Sequence, residues 1–111
     1  MSIIKVREFI LFLGASQLIV FTPLNDEGAA KDIIDAYHNS REKPRAMQMN
    51  KGGEMKNTID LFTVTMRDGD TTVNFYAEDE FSAIEVKGAL IDTGRFESGE
   101  IFSPQDKGIN K

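Results

Sequence analysis

Few side chains in this chain are equipped for covalent or metal chemistry, and their spacing limits which reactions are open to it. Cysteine is absent, which removes disulfides, thiolate metal sites and thiol nucleophiles together. The single histidine, His38, has no second imidazole with which to share a metal. Its neighbours Asn39 and Ser40 do not supply the spacing from which a catalytic triad would be read. At the end of a helical stretch, His38 reads instead as a cation favoured by the helix dipole. The acidic runs Asp26-Glu27 and Glu78-Asp79-Glu80 carry the oxygens that magnesium and calcium prefer. Both fall where helices should begin, and carboxylates there stabilise the dipole by about 0.3–1 kcal/mol. Asp68-Gly69-Asp70 lacks the ligand spacing of a calcium loop and reads as turn chemistry. No nucleophile and base are paired by spacing, so the expectation is a non-catalytic protein with no metal and no cofactor.

Two strings come nearer to known chemistry. Ala89-Leu90-Ile91-Asp92-Thr93-Gly94 resembles the active-site signature of retroviral-type aspartic proteases, in which paired Asp-Thr-Gly segments supply carboxylates sharing a proton. The likeness covers six residues of 111. Arg95 stands where that family has a small residue, and the chain after Gly94 is too short for the flap and second strand-helix segment the family needs. A helix that stops on Asp-Thr-Gly accounts for the string. Lys51-Gly52-Gly53 has the glycines and lysine of a phosphate loop without its full spacing, and reads as a flexible linker.

Around that linker lies the one basic island of an acidic chain, Arg41, Lys43, Arg45, Lys51 and Lys56. Net charge is −2 over residues 1–40, +3 over 41–56 and −6 over 57–111. Met47, Met49 and Met55 share the island, and methionine suits surfaces that must adapt to a partner. The acidic remainder repels phosphate backbones and favours a protein partner with a basic surface. The apolar run from Phe9 to Phe21 is broken by Gly14, Ser16 and Gln17 and is too short to span a bilayer. It reads as a buried hairpin, and the lack of cysteine fits a reducing, cytoplasmic compartment.

The elements that would position these residues follow from periodicity. Around Asp68-Gly69 the apolar residues alternate, which predicts a hairpin with Val64 opposite Val73 and Phe62 opposite Phe75. Its other face is mostly polar and carries one aromatic, Tyr76. A turn at Gly14-Ala15 sets Leu11 opposite Leu18 and Ile10 opposite Ile19 in a hairpin apolar on both faces, the kind that helices or another subunit cover. A helix follows each hairpin. The first runs from about Asp26 to Ser40, capped by Thr22 or Asn25, with Ala30, Ile33, Ile34 and Tyr37 as its core face. The second runs from Asp79 to about Asp92, with Ala77, Phe81, Ile84, Gly88 and Ile91 as its stripe and Gly94 as its stop. A strand competes for this last stretch, because Ile84, Val86, Gly88 and Leu90 also alternate.

The expected fold is therefore α+β: an antiparallel sheet of two hairpins with two helices, in ββαββα order. Residues 1–94 form the domain, with 41–58 as a connecting loop whose Arg45–Asn50 portion could add an edge strand, and 95–111 as a tail in which Ile101-Phe102 could dock a short strand or clamp. Recurrence of the acidic pair and alanine at 53 residues, from Asp26-Glu27 and Ala30 to Asp79-Glu80 and Ala83, suggests duplication. The expected function is a small interaction or regulatory protein, an inhibitor or adaptor of the viral or mobile-element kind. Glu78, Asp79, Glu80, Met47 and Met49 would meet the partner, and residues 9–21 would carry a homo-oligomer. One alternative is a nucleotide or short nucleic-acid module using Arg41, Lys43, Arg45, Lys51, Lys56 and Tyr76. Another is a structural subunit of an assembly.

Overall fold

Alternating strands with tight turns form both hairpins, and each needs further partners for its free backbone edge. The computed structural model describes residues 3–13, 16–38 and 46–104. Strands β1 (Ile3–Leu13) and β2 (Ser16–Pro23) precede helix α1 (Glu27–His38) and strand β3 (Ala46–Asn57). After a 3-10 turn (Thr58–Asp60) come β4 (Phe62–Asp68), β5 (Thr71–Ala77), α2 (Glu80–Asp92) and β6 (Ser98–Phe102). The strands make one six-stranded antiparallel sheet in the order β3-β1-β2-β5-β4-β6, and the fold is α+β.

In the first hairpin Ile10 pairs with Ile19 and Leu11 with Leu18, as the sequence predicts; Gly14 and Ala15 lie outside the described residues. The second hairpin is offset by two from the predicted register, with Val64 opposite Phe75 and Phe62 opposite Ala77. The turn closes on Gly69-Asp70, because Asp68 pairs with Thr71. Gly69 holds φ 63°, the positive value that a two-residue turn needs at its first central position when that residue is glycine. An even offset keeps each side chain on its own face. Val64, Met66, Phe75 and Ala77 are accordingly fully buried.

The stretch expected as a connecting loop is largely strand. β3 pairs with β1 along its length, and β6, within the expected tail, pairs with β4. Glycines hid the first of these. Between Glu8↔Asn50 and Val6↔Glu54, Lys51-Gly52-Gly53 stand opposite Arg7 alone, a bulge that breaks period-two patterning.

Each half of the chain is thus a hairpin, a helix and a strand that returns to pair with the first strand of its own hairpin. The sheet order is symmetric about the β2–β5 ladder, which consists of Val20↔Ala77 and Phe21↔Tyr76. The helix caps repeat too. Asp26 Oδ1 accepts from Ala29 N–H at 3.0 Å, and Asp79 Oδ1 from Ser82 N–H at 2.7 Å. The predicted caps of α1 therefore give way to Asp26, and Thr22 is buried in β2.

Both helices lie on one sheet face over a core drawn from the two halves, including Phe9, Leu18, Val20, Ile33, Val64, Phe75, Ala83 and Leu90. On the opposite face Val6, Phe21 and Leu61 form a second cluster. Leu61 gets there because the segment after β3 must pass β1, β2 and β5 to reach β4. The doubly apolar first hairpin is accordingly covered by helices on one face, while on the other Phe21 is buried and Ile10, Phe12 and Ile19 are half-buried. No helix among the described residues is long and apolar enough to cross a membrane.

Candidate functional site

The face that α2 turns outward is decided by what holds its inner face. Asp79 caps the helix, and one residue earlier in the chain Glu78 N–H donates to Ile19 C=O at 3.4 Å. Ser82 Oγ accepts from Ile19 N–H at 3.1 Å. Both backbone groups of Ile19, next to the end of the β2–β5 ladder, are thereby satisfied by the start of α2. With Ser82 fixed inward, Ala83, Val86 and Leu90 follow it into the core. Small residues there let the helix lie close to the sheet.

The consequence overturns the predicted core stripe. Phe81 and Ile84 are 49% and 51% exposed, and Gly88 is exposed as well. Both sides of this helix carry apolar residues, so periodicity alone could not choose between them. The repeated arrangement of the two halves supplies an internal control. At an offset of 53 residues, Phe81 and Ile84 correspond to Gly28 and Lys31 of α1, which are also exposed. One helix thus places glycine and lysine at the solvent positions where the other places phenylalanine and isoleucine.

Around this apolar pair stand four carboxylates, Glu78, Asp79, Glu80 and Glu85, all on exposed residues. Residues 78–86 contain no base. Asp79 is partly committed to its cap; the other three are free of that duty. The arrangement offers apolar anchors inside an acidic rim. Burying the exposed halves of Phe81 and Ile84 against a partner would contribute about 1 kcal/mol each.

Of the remaining predicted site residues, Lys56 and Tyr76 are the ones whose side chains are described. Arg41, Lys43 and Arg45 lie outside the described residues. Met47 and Met49 take register positions opposite Leu11 and Phe9 on an edge strand, and Lys51 sits in the bulge, so residues 46–57 are strand where the sequence suggested a loop. Met55 is exposed beside Lys56. Lys56 and Tyr76 do meet across Phe21: the ammonium stands 5.0 Å from the Phe21 ring centre, and Tyr76 pairs with Phe21 and packs on its cluster. Tyr76 is half-buried, and burial pushes its phenol pKa up. A further aromatic, Phe102, is half exposed on β6 opposite Thr63, itself opposite Tyr76.

The Asp-Thr-Gly string ends α2. Thr93 Oγ1 donates to Leu90 C=O at 2.6 Å and accepts from Arg95 N–H at 3.2 Å, while Gly94 takes φ 80°. His38 closes α1, exposed, with its ring edge-on to Tyr37 at 5.8 Å. Among the described residues no three acidic, histidine or cysteine side chains gather as a metal site. Comparison of the chain with protein families, with curated proteins and with solved structures finds no match, so its function must be argued from this geometry.

Proposed function

We propose that this protein is a small non-catalytic interaction module that binds a larger protein partner along the outward face of α2. The partner would present apolar side chains to Phe81 and Ile84 and basic side chains to Glu78, Glu80 and Glu85. One observation carries the reading: large apolar residues are held half exposed at positions where the corresponding helix of the first half has Gly28 and Lys31. Isolated exposed apolar residues are ordinary, but a pair spaced three apart on a helix is the anchor pattern of helix-in-groove and helix-on-helix recognition. The acidic rim steers a basic partner, raising the association rate more than the final affinity. The nucleotide-binding alternative draws less support, because Lys56 lies over Phe21 and Tyr76 is half-buried.

A labelled amphipathic peptide of lysine and leucine is a direct probe, followed by fluorescence anisotropy. Binding should weaken about 30-fold in the Phe81→Ser, Ile84→Ser double variant, from about 1 kcal/mol at each position. It should also fall with salt. Glu78→Lys with Glu80→Lys should slow association while leaving the Asp79 cap intact. Unchanged binding in both double variants would remove the α2 face from consideration.

A further inference from the structure

Most glycines between Phe62 and Phe102 are required by their own surroundings. Gly69 and Gly94 take φ 63° and 80°, values that residues with a side chain rarely adopt. At Gly99 an added carbon would stand 2.5 Å from the Met66 sulfur. Gly88 is different: it lies in the interior of α2, is exposed, and holds no positive φ. A carbon added there would meet nothing within 4 Å. Glycine inside a helix is less favourable than alanine, because it gives up more backbone freedom on folding. Nothing among the described residues offsets that loss, and the space left by the missing side chain opens outward.

Three neighbours frame this space. Phe81, Ile84, Glu85 and Gly88 stand at i, i+3, i+4 and i+7 and are all exposed. That is the spacing of the four-residue hole that receives one side chain of a facing helix in knobs-into-holes packing. Its corners here are two apolar side chains, a carboxylate, and a glycine that lets a second backbone come close. A strand repeats every second residue and does not match a row spaced by three and four.

Charge separates a foreign helix from a second copy of this chain. The carboxylates of Glu78, Glu80 and Glu85 enter no ion pair among the described residues. Lys87 is the one base of α2 and is half-buried. Two copies packed through this face would set carboxylate against carboxylate, whereas a basic helix would meet them with opposite charge.

We infer that the element captured by this face is a basic amphipathic α-helix, which seats a leucine-sized side chain among Phe81, Ile84, Glu85 and Gly88 and comes closest to α2 at Gly88. The inference rests on the reading of the α2 face given above. It adds the kind of element that binds there and a role for Gly88.

Two labelled peptides of equal length and equal lysine and leucine content test this by fluorescence anisotropy with the full chain. One spaces its leucines for a helix, the other places them at every second position. The helical peptide should bind about tenfold more tightly. Gly88→Ala should raise the denaturation midpoint and yet weaken the helical peptide several-fold, so that lost binding is not the result of unfolding. Gly88→Leu, which fills the hole, should weaken it about tenfold. Equal or tighter binding of the alternating peptide overturns the inference. So does unchanged or tighter binding of the helical peptide by Gly88→Ala, and in either case the α2 face itself stands. Unchanged binding in the Phe81→Ser, Ile84→Ser double variant removes the face and the inference together. Self-association of the unaltered protein that Gly88→Leu abolishes would assign the hole to a second copy, which also overturns the inference.

Discussion

Asp32 shows how a buried carboxylate weighs on the fold. Burial raises its carboxyl pKa above the ordinary 3.8, and neighbouring Arg95 opposes the rise without cancelling it. In the window above 3.8 the folded protein therefore holds this proton more tightly than the unfolded chain does. Stability contributed by Asp32 is full below 3.8 and is lost as pH climbs through the raised value. Denaturant midpoints of the natural protein and of Asp32→Asn should consequently lie closest at pH 3, and the variant should gain on the natural protein toward pH 7. A constant difference across that range would mean that ionisation of Asp32 costs the fold nothing.

At the scale of elements, the repeated caps and the late strand β6 make firm predictions. Asp79→Ala removes the acceptor for Ser82 N–H and should cost about 1 kcal/mol in chemical denaturation. Gly99→Ala should cost a similar amount, about 1 kcal/mol: its added carbon would stand 2.5 Å from the Met66 sulfur, and Met66 is fully buried though adaptable. If Gly99→Ala proves neutral, β6 is not packed against β4 as described. These elements also mark what could be read beforehand. The β1–β2 register was legible because apolar residues crowd both strands and leave one short turn between them. The second hairpin was legible up to an even slip, since Asp68-Gly69 and Gly69-Asp70 are both turn-forming pairs and sequence does not say which one φ chooses. The α2 face was not legible: Phe81 and Ile84 look like core until Ser82 is seen bonded to Ile19. β3 was legible only in its first half, because its Gly-Gly bulge interrupts the pattern, and β6 only as a possible short strand at Ile101-Phe102, because it is brief. The acidic rim was visible, whereas the Asp32–Arg95 ion pair was not, because the two residues lie 63 apart and no local pattern joins them.

For the whole molecule, the shared core overrides the division into halves. α1 and α2 pack on one cluster fed by strands of both units, although the sheet joins them through a ladder of two pairs, Val20↔Ala77 and Phe21↔Tyr76. Leu90→Ala should cost about 2–5 kcal/mol, a large part of the 5–15 kcal/mol typical of a domain. It should lower amide-exchange protection in α1 as much as in α2; protection lost from α2 alone would show that the halves unfold separately. The pseudo-symmetry has a further consequence. A free-standing ββαβ unit could complete the same sheet by pairing with its own copy, so the molecule has the architecture of a twofold dimer whose subunits are written into one chain and tied through Asn57–Leu61. In a true homodimer every change is made twice, and both helices must stay alike. Tying the subunits together ends that obligation: one helix is free to bury an aspartate while the corresponding residue of the other, Glu85, stays in solvent, and one is free to display Phe81 while the other keeps Gly28.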